Sequence, residues 1–157
     1  MASIRIVRES ALAALFLFGL LVSQALAASE PVDLSILRKD GTRVIFRAEI
    51  ARSNEERRVG LMNRQSLPAD HGMLFDFGDS REVIMWMRNT LIPLDMLFAD
   101  DEGVITHIHA NARPRDETMI DSRGPVRYVL EINGGLAARL LLAPGDKLDG
   151  APLRAPE

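Results

Sequence analysis

The chain has no cysteine among its 157 residues. That excludes disulfides, a cysteine nucleophile and a lipid-anchored cysteine behind a leader. Twin arginines are also missing near the N-terminus, which sets aside the export route used by folded proteins. No second apolar run approaches the ~20 residues a membrane-spanning helix needs. Basic clusters are lacking too: 19 Lys and Arg face 22 Asp and Glu, and the arginines are scattered. Without a basic stripe, nucleic acid and anionic membrane surfaces are poor partners. Ser66, Ser80 and Ser122 lie in no Gly-x-Ser-x-Gly elbow. The glycines, Gly134-Gly135 included, form neither a dinucleotide fingerprint nor a P-loop, so no cofactor is implied.

What is present begins with a leader. Arg5 and Arg8 make a basic start, Ala11 to Val22 an apolar stretch, and Ala25-Leu26-Ala27 a small-x-small cleavage box. This layout predicts a secretory signal peptide over 1–27, cut after Ala27, and a periplasmic destination. Without Arg5, Arg8 and Glu9 the remaining balance is 17 basic to 21 acidic residues. The rest is expected to form a single β-rich domain over 28–150, with a loose tail over 151–157 and no membrane insertion.

Hydrophobic spacing then gives the elements. Val32 to Ile36 alternates, Asp40-Gly41 marks a turn, and Val44, Phe46, Ala48 and Ile50 alternate again, which predicts a hairpin. Ser53 with Glu56 three residues on is a capping box and starts a short helix that stops near Gly60. Strands are expected at Met73–Phe77, Val83–Met87, Leu91–Phe98, Val104–His109, Tyr128–Ile132 and Lys147–Leu148. Asn111 to Arg127 lacks periodicity and reads as a long loop, and Leu136 to Leu142 as a helical turn. Many short strands with frequent turn signals and one capped helix predict a mainly β fold, a compact antiparallel sandwich or barrel.

Candidate chemistry concentrates in one polar corner. Trp86-Met87-Arg88-Asn89-Thr90 leads through Pro93 to Asp95, an acid set between Leu94 and Met96. Glu131 follows Val129-Leu130 in the same way. A carboxylate in an apolar strand is costly to bury and needs partners. With Arg64, these residues make a candidate ligand site: Arg64 and Arg88 for an anionic group, Trp86 as an apolar wall, and Asn89, Thr90, Asp95 and Glu131 for orientation. Asp95 and Glu131 are also the candidate acid and base of a hydrolase or lyase acting on envelope carbohydrate. An Arg–carboxylate network that only pins the fold is the structural alternative.

Two metal readings are weaker. His107 and His109 share one side of a strand, but two imidazoles fall short of a zinc set unless His71 or a carboxylate joins them. Met62, Met73, Met85, Met87 and Met96 suit Cu(I), yet methionine is also an ordinary core filler and no Met-x-x-Met cluster occurs.

Taken in order, Gly60-Leu61-Met62-x-Arg64, Gly72-Met73-Leu74-Phe75-x-Phe77, Trp86-Met87-Arg88-Asn89-Thr90-x-Ile92-Pro93-Leu94-Asp95, Val129-Leu130-Glu131 and Gly145-Asp146 resemble the domain of unknown function family 192 (DUF 192). The match runs from about Ile50 to Leu148. It implies a jelly-roll-like β sandwich and no established activity, cofactor or catalytic residue. Met85 stands where that family often has Phe, and Arg88 where it often has Lys. Three functions stay open: a periplasmic binding or accessory module for a small polar ligand or envelope partner, the carbohydrate enzyme, and an interaction protein using a sheet edge or the Asn111–Arg127 loop.

Overall fold

A computed structural model describes residues 30–150 and Leu153. The expected leader over 1–27 and most of the 151–157 tail lie outside the described residues. The rest is mainly β: seven strands form one curled half-barrel sheet, and two short strands form a second. In chain order these are β1 (Val32–Leu37), β2 (Arg43–Ala51), α1 (Asn54–Val59), β3 (His71–Arg81), β4 (Ile84–Met85), β5 (Leu94–Ala99), β6 (Ile105–Ala112), β7 (Ile120–Asp121), β8 (Val126–Asn133), α2 (Leu136–Arg139) and β9 (Lys147–Asp149).

The large sheet runs β6-β5-β8-β3-β2-β1-β9. The β1–β2 hairpin forms as expected, closed by the Arg38 amide donating to the Thr42 carbonyl at 2.8 Å. Every pairing in the sheet is antiparallel except β2 with β3. Those two run parallel because α1 and the loop behind it carry the chain back before β3 begins. Curling brings the two edge strands together at one end. Val104 bridges Lys147, and the Ile105 amide donates to the Asp146 carbonyl at 2.8 Å.

Each face of the sheet has its own core. Inside the curl, Leu34, Ile36, Phe46, Leu74, Leu97, Tyr128, Leu130 and Ile132 pack together, closed by Leu136 and Ala137 of α2. On the outer face Met73, Phe75, Leu94, Met96, Phe98 and Val129 pack under Leu61, Leu67, Met87, Ile92 and Ile120. β5 is buried along its whole length because both cores touch it. Each fully buried Leu or Phe contributes about 1.5–3 kcal/mol, so both faces are needed to hold the strand.

Four segments differ from their expected form, the first being Val83–Met87, of which only Ile84–Met85 is strand. Leu91 to Pro93 does not join β5: proline has no amide to give a ladder, and the Pro93 carbonyl instead accepts the Gly134 amide at 2.9 Å. β3 begins at His71 and extends to Arg81, well past the apolar stretch that signals it. The expected Asn111–Arg127 loop contains the end of β6, all of β7 and the start of β8. β7 meets β4 over only two residue pairs, Ile84 with Asp121 and Met85 with Ile120, too few to leave a period in the sequence.

Candidate functional site

A cavity of about 280 Å³ opens on the outer face, between α1 and the segment that carries Trp86. Its first wall depends on the capping box. The Ser53 hydroxyl accepts the Glu56 amide at 3.1 Å, and the Glu56 carboxylate accepts the Ser53 amide at 2.7 Å. α1 then stops at Gly60, whose φ of +48° is open to glycine at little cost. A side chain there would also meet the Phe75 ring at 3.0 Å. The chain therefore drops against Phe75 and buries Leu61 beside the cavity. Ile84, Met85 and half-exposed Trp86 form the opposite wall.

The floor is Glu131, with 4 % of its surface exposed. Directly paired residues of neighbouring strands point to the same face. Glu131 pairs with Met73 on β3 and with Met96 on β5, so thioethers flank it on both sides. Neither offers a strong donor. Among the described residues the Glu131 carboxyl makes no hydrogen bond and no ion pair. Among the described residues every side-chain oxygen or nitrogen sealed from solvent has a partner, so the unpaired Glu131 oxygens border the cavity's own space. Burial alone pushes this carboxyl up to about 8, which leaves it mostly protonated at neutral pH.

Asp95 has the opposite environment. It pairs with Ile132 and therefore points into the curl, on the other side of the sheet from Glu131. It is fully buried. One oxygen accepts the Asn111 amide at 2.8 Å and the Gly135 amide at 2.9 Å, and the other accepts the Ala137 amide at 2.7 Å. Gly135 has no side chain to cap α2, and Asp95 performs that task from β5. Two acids on opposite faces share no cleft, so the two-carboxylate arrangement has no geometry here.

The other candidates divide between the pocket and the frame around it. Trp86 and Thr90 line the cavity with Glu131. Arg64, Arg88, Asn89 and Asp95 do not. Arg64 meets neither Asp95 nor Glu131; it grips Glu49 of β2, Nη2 to Oε2 at 2.7 Å. Asn89 takes a φ of +56° at the corner, and its carbonyl accepts the Asn63 amide at 2.9 Å. Thr90 is buried, and its hydroxyl reaches the Arg88 carbonyl only at 3.5 Å, the outer limit of a hydrogen bond. The sequence reading missed Met62, Phe75, Phe77 and Arg57 as lining residues. The apolar spacing of Met62, Phe75 and Phe77 looks like ordinary core, Arg57 reads as a solvated helix residue, and the helix stop at Gly60 was the one available hint that a wall ends there.

Arg57 and Arg58 stand at the mouth with their guanidiniums engaged. Arg57 lies over the Phe77 ring at 5.3 Å and donates to the Asp76 carbonyl at 2.8 Å and to Asn54 Oδ1 at 2.6 Å. Arg58 holds Glu55, Nε to Oε2 at 2.7 Å.

The histidines do not converge. His107 stacks on Phe98 with ring centroids 5.7 Å apart; burial, with Arg123 adding to it, pushes its pKa below the usual histidine range. His109 borders a separate cavity of about 200 Å³ with Met87 and Asn111. His71 sits three strands away on β3 and pairs with Asp70 at 2.8 Å. Among the described residues no three His, Asp or Glu side chains group as metal ligands.

Comparison with known proteins identifies the family and fold. The DUF192 family model, described as "Uncharacterized ACR", matches residues 35–150. No curated protein matches the chain. A crystal structure of a Sinorhizobium meliloti protein, provisionally named as a transcription regulator, is 46% identical with a TM-score of 0.76 and covers 78% of this chain and 95% of its own. A Novosphingobium aromaticivorans protein of unknown function is 44% identical with a TM-score of 0.73, covering 76% of this chain and 85% of its own.

Proposed function

The chain belongs to the DUF192 family, and from its pocket we propose that it is an exported module that binds a small ligand between Trp86 and Glu131. One observation carries this reading: a buried carboxyl without a partner forms the floor of a cavity open to solvent. An unpaired buried polar group costs about 1–3 kcal/mol, and a ligand that pairs with it recovers that cost. Trp86 at the mouth, with nearly half its surface exposed, offers an apolar lid. A cavity of about 280 Å³ is at the small end of ligand sites, which begin near 300 Å³.

Export is supported by the layout of residues 1–27. The regulator name of the Sinorhizobium relative would ask for a nucleic-acid face. Here Arg38, Arg43, Arg47, Arg58, Arg64, Arg81, Arg113 and Arg127 each lie beside a carboxylate, and acids outnumber bases across the chain, which does not favour a phosphate-binding face.

Trp86 is the chain's single tryptophan, so its emission reports on the pocket directly. The purified protein is screened by fluorescence and thermal shift against amines, sugars, muropeptides, nucleotides and small carboxylates. A ligand at 100 times its Kd adds about 2.7 kcal/mol of stability, and it is expected to move the Trp86 emission and to bind Glu131→Gln differently. A panel that changes neither signal contradicts the reading.

A further inference from the structure

We infer that the pocket receives an organic ammonium head on an apolar stem, with the Glu131 carboxylate as its counter-ion. This rests on the binding reading above and names the class of ligand. Three features of the cavity select that class.

The first is the inventory of free polar groups. Glu131 has no partner among the described residues, and its strand neighbours Met73 and Met96 supply none. An anion entering the pocket would have to draw Arg57 from the Asp76 carbonyl and Asn54, or Arg58 from Glu55, or rely on the neutral indole N–H of Trp86. An ammonium finds an acceptor with both oxygens open.

The second is the wall. Phe75, Phe77, Trp86, Met62 and Met85 line the cavity. Aromatic faces attract cations through their quadrupole, and thioether sulfurs are soft and polarisable. The third is size. About 280 Å³ far exceeds a bare metal ion and suits a small organic molecule.

Of the cations lining the cavity, Arg58 is offset by Glu55, while Arg57 has no carboxylate partner among the described residues and is held by the Asp76 carbonyl and Asn54. The registers place Glu49, Met73, Glu131, Met96 and His109 in one row across the outer face. Glu49, beyond Met73, is bound by Arg64. His109 stands beyond Met96 and borders a different cavity. From α1 come only Arg57 and Arg58, engaged as described. On binding, the Glu131 acid gives its proton to solvent and the resulting carboxylate pairs with the ammonium, so each ligand bound releases one proton.

Three probes of similar length test the head group: phenethylamine, 2-phenylethanol and 3-phenylpropionate. Each is titrated into the purified protein by Trp86 emission, and by calorimetry in two buffers of different ionisation enthalpy. The amine is expected to bind at least tenfold more tightly than the alcohol, and the carboxylate not at all. With the Glu131 carboxyl at about 8, amine affinity rises about tenfold per pH unit from 6 toward 8, and nearly one proton leaves per amine at pH 7. Glu131→Gln, which keeps the shape of the neutral acid, is expected to lose at least tenfold for the amine and to leave the alcohol unchanged.

Equal binding of amine and alcohol, preference for the carboxylate, or proton uptake overturns the inference while the binding reading stands. Tight binding of Ag(I), tested as a stand-in for Cu(I), without amine binding also overturns it and makes the pocket a soft-metal site. Silence from all these probes and from the wider panel removes both.

Discussion

Asp95 and Glu131 lie on neighbouring strands, are both buried, and look alike in sequence, yet they have opposite surroundings. Asp95 points into the curl and meets three backbone amides. Glu131 points outward between two methionines and meets none. A carboxylate surrounded by amides is a structural clamp, whose charge is satisfied by groups that cannot leave. A carboxyl at the floor of an open cavity is paired only when something enters. Burial of an acid therefore does not by itself mark a site. The absence of partners beside reachable space does.

Removing each acid separately gives the sharpest contrast, because the two effects have opposite signs. Asp95→Ala strands three amides between β5, β6 and α2. With hydrogen bonds to a charged group worth about 1.5–3 kcal/mol each, and broken buried charge networks costing 3–5, the loss is expected near 5 kcal/mol in urea unfolding. If Asp95→Ala does not fold, Asp95→Asn keeps part of the network and falls between it and the native chain. A loss under 1 kcal/mol for Asp95→Ala would break the comparison on its structural side.

Glu131→Gln is expected to stabilise the protein at neutral pH. Its carboxyl moves from an ordinary value of 4.5 to about 8 on folding, so the folded state holds the proton more tightly than the unfolded chain does. Stability then falls as pH rises between those values, by about 1.4 kcal/mol per unit, and is flat below and above. Gln does not titrate. Glu131→Gln should therefore exceed the native chain by about 3 kcal/mol at pH 7, with the gap closing at pH 4. Urea unfolding at the two pH values checks this, and a gap that does not depend on pH would show that Glu131 is not held as an uncharged acid.

Much of the frame was legible because local chemistry fixes it. The Asp40-Gly41 turn, the Ser53–Glu56 capping box and the alternation through β2 each work over a few residues, and each forms as read. The parity of Asp95 with Leu97, and of Glu131 with Val129, was also in the sequence. What could not be read was the register between β5 and β8. It pairs Glu131 with Met96 rather than with Asp95, and a shift of one residue would have placed both acids on one face. Long-range packing sets that register, and no local signal encodes it. The same holds for Arg64, whose partner Glu49 lies on a strand fifteen residues earlier. The pocket was half legible: Trp86, Thr90 and Glu131 were candidates, while Phe75 and Met62 read as core until α1 was seen to stop short of covering them.

The most direct test of the account is a 13C NMR titration of the Glu131 side-chain carboxyl in the ligand-free protein. The assignment is made by its loss in Glu131→Gln. A midpoint near 8, moving down when an ammonium ligand is added, is the predicted result. A midpoint near 4.5 that no ligand moves would mean that the carboxyl is already solvated or paired, and would contradict the claim that it waits unpaired at the floor of a binding pocket.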